Sequence, residues 1–140
     1  MSRKSARENA FKMIYSCALM KEPPHDTCRY FEENMTDEMW AEESLSKKDV
    51  EYLKSVVFGA AEMKDSLNEK IAPLLKKWDI GRLPKVSLAL LQLAIYEIDN
   101  MEDVPDRVAV NEAVELAKLY GEEDTYKFVN GVLAEYLKNR

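Results

Sequence analysis

Residues 84–101 constrain the fold more than any other part of the chain. The segment has the composition of a helix, and apolar side chains cover most of its circumference: Val86, Leu88, Leu90, Leu91, Leu93, Ala94, Ile95 and Ile98. A helix that is apolar on nearly every side is stable only when other elements bury it. We therefore predict a central, buried helix whose exposed stripe is Lys85, Gln92 and Asp99, and which buries the carboxylate of Glu97.

The N-terminal half carries the spacing of amphipathic helices, with breaks at prolines. Residues 3–20 predict a first helix, which Pro23 and Pro24 end, and residues 30–35 carry a weaker helical pattern. A long helix from Val50 to Leu67 is predicted next, with Ser46 as its N-terminal cap, and Pro73 should kink or restart it.

The C-terminal part predicts two further helices after the central one. The first follows Pro105 and ends at Gly121, and Asp124 is expected to cap the second. No segment shows the alternation of a strand. The sequence thus predicts an all-α fold in which residues 1–140 form one domain of two packed helical bundles, each of about three to four helices, with subdomains at about 1–80 and 81–140.

Composition and charge limit the functions that such a chain can have. No apolar run is long enough to cross a membrane, and Cys17 and Cys28 lack metal-ligand spacing, so we expect a cytoplasmic protein with reduced thiols. The formal charge of −6 argues against a general polyanion binder, and any nucleic-acid site must be a local patch. The single His25 has no catalytic partner in a recognisable arrangement, and neither an enzyme nor a cofactor is predicted.

Several short segments spell out a family pattern. They are Ala6-Arg7 with Tyr15, Trp78 with Arg82-Leu83, residues 94–97 (AIYE), Val104-Pro105, residues 110–118 (VNEAVELAK), Tyr120-Gly121 and residues 127–133 (KFVNGVL). Over essentially its whole length the chain resembles the NusB family, and the segments from 110 onward are the most specific. The resemblance implies two helical bundles without catalytic activity.

The resemblance also implies partners. These are boxA-like single-stranded RNA, the small-subunit ribosomal protein NusE and the RNA polymerase antitermination complex, with a role in ribosomal RNA transcription. Three alternatives stay open, namely a helical protein-interaction or ribosome-assembly adaptor with weak RNA binding, a homodimer, and a detached domain of an RNA methyltransferase. The first is motivated by an N-terminus with only Arg3, Lys4 and Arg7 before Lys12, where family members often carry a denser arginine cluster.

The candidate RNA-binding residues lie at the two ends of the sequence. They are Arg3, Lys4, Arg7, Tyr15, Asp124, Lys127, Asn130 and Gly131. Lysine and arginine side chains pair with phosphates, and an exposed aromatic ring can stack on an unpaired base. Lys127 and Gly131 share one face of the last helix, where a small residue beside a lysine suits an RNA backbone.

Several of these candidates have a structural alternative. Arg7 is placed equally well as the partner of Glu97, because a buried carboxylate without a partner is costly. Tyr15 could pack at the rim of the core, and Gly131 could allow a tight contact between helices. Asp124 is first a helix cap, and the resemblance places its loop beside the RNA. Leu74 stands after Pro73 where some family members carry an aromatic residue, which removes one stacking platform.

Overall fold

A computed structural model describes residues 3–19, 47–76 and 79–140, and the regular elements within these ranges are all helical. Their six α-helices are α1 Arg3–Leu19, α2 Lys47–Glu62, α3 Lys64–Ile71, α4 Lys85–Asn100, α5 Asp106–Tyr120 and α6 Thr125–Lys138. Short 3₁₀ turns at Ala72–Leu74 and Ile80–Arg82 lie between α3 and α4. The predicted all-α class is confirmed, whereas the predicted helical pattern at 30–35 and the cap Ser46 lie outside the described residues.

The chain divides into two compact units, Met1–Glu62 and Met63–Arg140. In the first unit α1 packs against α2, and in the second α4 packs against α3, α5 and α6, while α5 also packs against α6. The subdomain boundary predicted near residue 80 stays a prediction. No helix of the described ranges has both the length and the apolar character needed to cross a membrane.

Helix α4 is buried along most of its length, as its composition predicts. Its residues from Ser87 to Ile98 are all buried, and Glu97 is fully buried among them. The prediction that Gln92 is exposed is wrong, because its side chain is only 5% exposed and its Nε2 donates a hydrogen bond of 2.8 Å to Oδ1 of Asn68 on α3. A helical projection gives the direction of a side chain but does not show that another helix covers that side.

The long helix predicted to continue through Leu67 is interrupted. A turn at Met63 separates α2 from α3, and the backbone there leaves the helical region at φ −97° and ψ 13°. Neither proline nor glycine stands at this break, so the usual breaker residues do not signal it. Pro73 marks the end of the helix and not a kink within it, since α3 ends at Ile71 and Pro73 lies in the 3₁₀ turn that follows.

Helix α5 ends just before Gly121, a position where only a residue without a Cβ fits. Its N–H donates to the carbonyl of Ala117 at 2.9 Å, and its backbone is extended (φ −94°, ψ −176°), so no left-handed conformation requires glycine here. A Cβ at this position would lie 2.6 Å from Cβ of Thr125 and 2.8 Å from the carbonyl oxygen of Ala117. The predicted end of the helix is therefore confirmed, and close approach explains why it is a glycine.

A part-buried group of charges holds the C-terminal end of α6. Asp99 at the end of α4 accepts hydrogen bonds from Nζ of Lys70 at 2.8 Å and from the hydroxyl of Tyr136. Burial, and then the hydrogen bond to Asp99, raises the pKa of Tyr136 to about 12. Nε of Arg140 lies 3.5 Å from Oδ1 of Asp99. These contacts join α6 to α3 and α4 within the second unit.

Candidate nucleic-acid interface

An open groove runs along α6 in the second unit. Its volume is about 400 Å³, and it is lined by Leu74, Lys76, Lys127, Phe128, Gly131, Val132 and Glu135. The residues after α3 form one wall. The other wall is one side of α6, where side chains three or four positions apart lie on the same face of the helix.

The groove combines apolar surface with positive charge. Phe128 is half-buried, so part of its ring faces the open space, and Val132 and Leu74 continue this apolar surface. Lys76 on one wall and Lys127 on the other are exposed. An aromatic ring can stack on a base and the two ammonium groups can bind phosphates, so the arrangement suits a short piece of single-stranded nucleic acid.

Gly131 lies in this groove and is not needed for packing. It is exposed, and outside its own helix backbone a Cβ built on it would meet no atom of the described residues within 4 Å. The alternative of a tight helix contact at this position is therefore wrong. A glycine inside a helix lowers the stability of the helix by about 1 kcal/mol relative to alanine. Among the described residues, no packing contact requires a glycine at this position. The space beside its Cα is open to a ligand.

The cap predicted at Asp124 has a different form. Asp124 occupies the N-cap position of α6 but makes no side-chain cap hydrogen bond, because its backbone (φ −98°, ψ 0°) is not extended as a capping residue requires. Instead, Oγ1 of Thr125 accepts a hydrogen bond of 2.8 Å from the N–H of Glu122. The carboxylate of Asp124 is exposed and lies 4.0 Å from Nζ of Lys127. Asn130 is also exposed, on the same helix.

The arginines of α1 contact α2. Nε of Arg3 lies 3.2 Å from Oδ1 of Asp49, and its guanidinium lies 4.3 Å from the centre of the Tyr52 ring. The guanidinium of Arg7 lies 5.5 Å from the same ring, and Arg7 is only 4% exposed. Lys4, by contrast, is exposed. The pairing of Arg7 with Glu97 stays a prediction.

Tyr15 stacks on Phe11 within α1. The ring centres are 5.8 Å apart and the planes differ by 19°. Phe11 is buried, and Tyr15 is half-buried beside it. This contact agrees with a tyrosine at the rim of the core, while its predicted stacking on a base stays untested.

The structure brings together only some of the predicted residues. Lys127 and Gly131 line one groove, and Asp124 and Asn130 lie on or directly before the same helix. The candidates on α1 belong to the first unit, and their participation in one RNA surface with α6 stays a prediction. Phe128 and Lys76 also line the groove, although neither was predicted from the sequence as a site residue. Phe128 could have been found, because it follows Lys127 directly and precedes Gly131 by three positions.

Comparison with known proteins decides the family. A profile of the NusB family matches residues 4–138. The chain belongs to the NusB family. A "Transcription antitermination protein NusB" of Clostridium novyi (strain NT) is 37% identical over 138 residues, which are 99% of each chain. That of Clostridium acetobutylicum is 35% identical over 139 residues, covering 99% of this chain and 97% of the relative.

A solved structure supports the same assignment for the fold of this NusB family member. The structure described as "T. maritima NusB, P3121, Form 2" matches with a TM-score of 0.85 and 31% identity, covering 100% of this chain and 93% of the other. The resemblance found in the short sequence segments is therefore confirmed over the full length.

Proposed function

We propose that this NusB family member is a transcription antitermination factor that binds boxA-like single-stranded RNA in the groove along α6. The observation that carries the proposal is the groove at Gly131, which is open beside a helical glycine, has a lysine on each wall and has the Phe128 ring on the α6 wall. The relatives named transcription antitermination proteins support the same role. The protein acts in the cytosol, without catalysis or cofactor.

The acidic total charge fits this role if the positive charge is local. With a formal charge of −6, long-range attraction to any polyanion is weak. Contacts to phosphates then depend on a few lysines, and the bases must supply part of the affinity through stacking and hydrogen bonds. The carboxylate of Glu135 in the groove can accept a hydrogen bond from a base. We therefore expect binding that depends on the RNA sequence.

The partners of the proposed function are NusE and the RNA polymerase antitermination complex, and its outcome is the support of ribosomal RNA transcription. NusE is expected to increase RNA affinity, because a chain whose acidic residues outnumber its basic ones gains from a partner that contributes further contacts.

A titration tests the proposed function. Fluorescently labelled RNA that contains a boxA element, and the same bases in scrambled order, are titrated with the protein in the presence and absence of NusE at several salt concentrations. We expect tighter binding of the boxA RNA, a further gain with NusE, and a salt dependence with a slope of about 0.7 log units per phosphate contact. Equal binding of the two RNAs under all conditions would contradict the proposal and favour the adaptor alternative.

A further inference from the structure

The first turn of α1 is electrostatically unfavourable by itself. It begins with Arg3 and Lys4 and contains no acidic residue. The N-terminal end of a helix carries a partial positive charge, so cations at this end destabilise the turn and anions stabilise it. Contacts with another part of the first unit can compensate for these cations.

Asp49 and Tyr52 on α2 supply this compensation. The carboxylate of Asp49 binds Nε of Arg3 at 3.2 Å, and the Tyr52 ring lies under the guanidiniums of Arg3 and Arg7 at 4.3 and 5.5 Å. Asp49 is 9% and Tyr52 4% exposed, so both contacts are partly shielded from water. A shielded ion pair and a cation–π contact are stronger than the same contacts at the surface.

Asp49 is itself held in a favourable place. It lies in the first turn of α2, where the positive end of that helix stabilises a carboxylate. Two helix N-termini, one rich in cations and one with a buried anion, thus meet through Arg3 and Asp49. The side chain of Arg3 is 28% exposed in this pair, whereas Lys4 beside it is exposed.

We propose that Asp49 and Tyr52 are positioning residues for RNA binding, which hold Arg3 and the first turn of α1 so that Lys4, and not Arg3, presents its charge to a phosphate. This inference rests on the proposed function. The charge of Arg3 is neutralised by Asp49, and its role is to order the turn before RNA arrives. A turn that is already ordered loses less conformational entropy on binding than a turn that RNA must order.

The inference is testable because a pure charge effect predicts the opposite change in RNA affinity when Asp49 is neutralised. If Asp49 only weakened the positive field near α1, its neutralisation would strengthen binding of an anion. If Asp49 positions the turn, its neutralisation weakens binding although a negative charge is lost. The sign of the change in affinity therefore separates the two mechanisms.

The experiment compares the boxA-like RNA affinities of the full-length variants Asp49→Asn, Arg3→Ala, their combination, and Lys4→Ala at several salt concentrations. Asp49→Asn and Arg3→Ala should each weaken binding about two- to tenfold, the range expected for ordering one long side chain on binding, with an unchanged salt slope. The double variant should bind RNA no more weakly than Arg3→Ala alone, because Arg3→Ala already removes the ion pair. Lys4→Ala should lower the salt slope by about 0.7.

Glu51→Gln is the matched control, because it removes an exposed carboxylate from the same helix, and it should leave affinity unchanged or slightly increase it. Circular dichroism confirms folding, and Arg3→Ala alone carries the test if Asp49→Asn does not fold. Wild-type or tighter binding by Asp49→Asn, a lower salt slope in Arg3→Ala, or additive effects of the two would overturn the inference. Failure of the unmodified protein to bind this RNA overturns the proposed function together with the inference.

Discussion

Replacement of Glu97 by alanine should lower the free energy of unfolding by about 3–5 kcal/mol, the cost of removing one partner from a buried charged contact. Glu97 is fully buried in α4, the most apolar of the described helices. In the described part of the chain, no buried side-chain nitrogen or oxygen lacks a hydrogen-bond partner. The alanine variant therefore leaves polar groups buried without their acceptor and opens a cavity.

Chemical denaturation measures this effect. Glu97→Gln keeps the size of the side chain and part of its hydrogen bonding, so its loss of stability should be smaller than that of Glu97→Ala. Glu115→Ala is the control, since this exposed carboxylate lies 3.6 Å from Lys118 in a surface pair that contributes little. A Glu97→Ala variant within about 1 kcal/mol of the wild type would show that the buried carboxylate is not needed for stability.

Replacement of Phe128 by leucine should weaken RNA binding about five- to 150-fold, which corresponds to the loss of one stacked base. Leucine preserves apolar volume in the groove but lacks the aromatic face on which a base stacks. Because Phe128 is only half-buried, the free energy of unfolding should change much less than the RNA affinity.

Anisotropy titration with boxA-like RNA measures the affinity of Phe128→Leu, and thermal unfolding verifies the fold. Tyr120→Leu serves as the control, because Tyr120 is a partly exposed aromatic residue that does not line the groove. It should bind RNA as the wild type does. Equal affinities of Phe128→Leu and wild type would exclude Phe128 as a stacking platform.

The composition of α4 alone predicts its position in the fold, and no knowledge of the helices around it is needed. A helix that is apolar on nearly every side must be buried, and the structure confirms this from Ser87 to Ile98. Gln92 shows where such reasoning ends. A glutamine next to apolar residues suggests an exposed stripe, but Asn68 of α3 supplies the hydrogen bond that allows its burial.

Residues of the candidate interface were predictable from the sequence where their spacing within a single helix places them on one face. Lys127 and Gly131 follow from the spacing within one helix, whereas Lys76 enters the groove only because the turn after α3 lies beside α6. In the same way, positive charge alone marks Arg3 as an RNA ligand, and its neutralisation by Asp49 depends on the packing of α1 against α2. Sequence patterns give the face of a helix, and the contacts between helices give the role of each side chain.

The most direct test of the groove on α6 is to measure stability and RNA affinity together in Gly131→Ala. Since the added Cβ meets no other part of the described residues within 4 Å, alanine should raise the free energy of unfolding by about 0.5–1 kcal/mol through its better helix propensity. If RNA occupies the groove, the same methyl group should weaken binding of boxA-like RNA, and Gly131→Leu should weaken it further. A more stable Gly131→Ala protein that binds RNA less tightly is the predicted result. A more stable protein with unchanged or tighter RNA binding would contradict the placement of RNA in this groove.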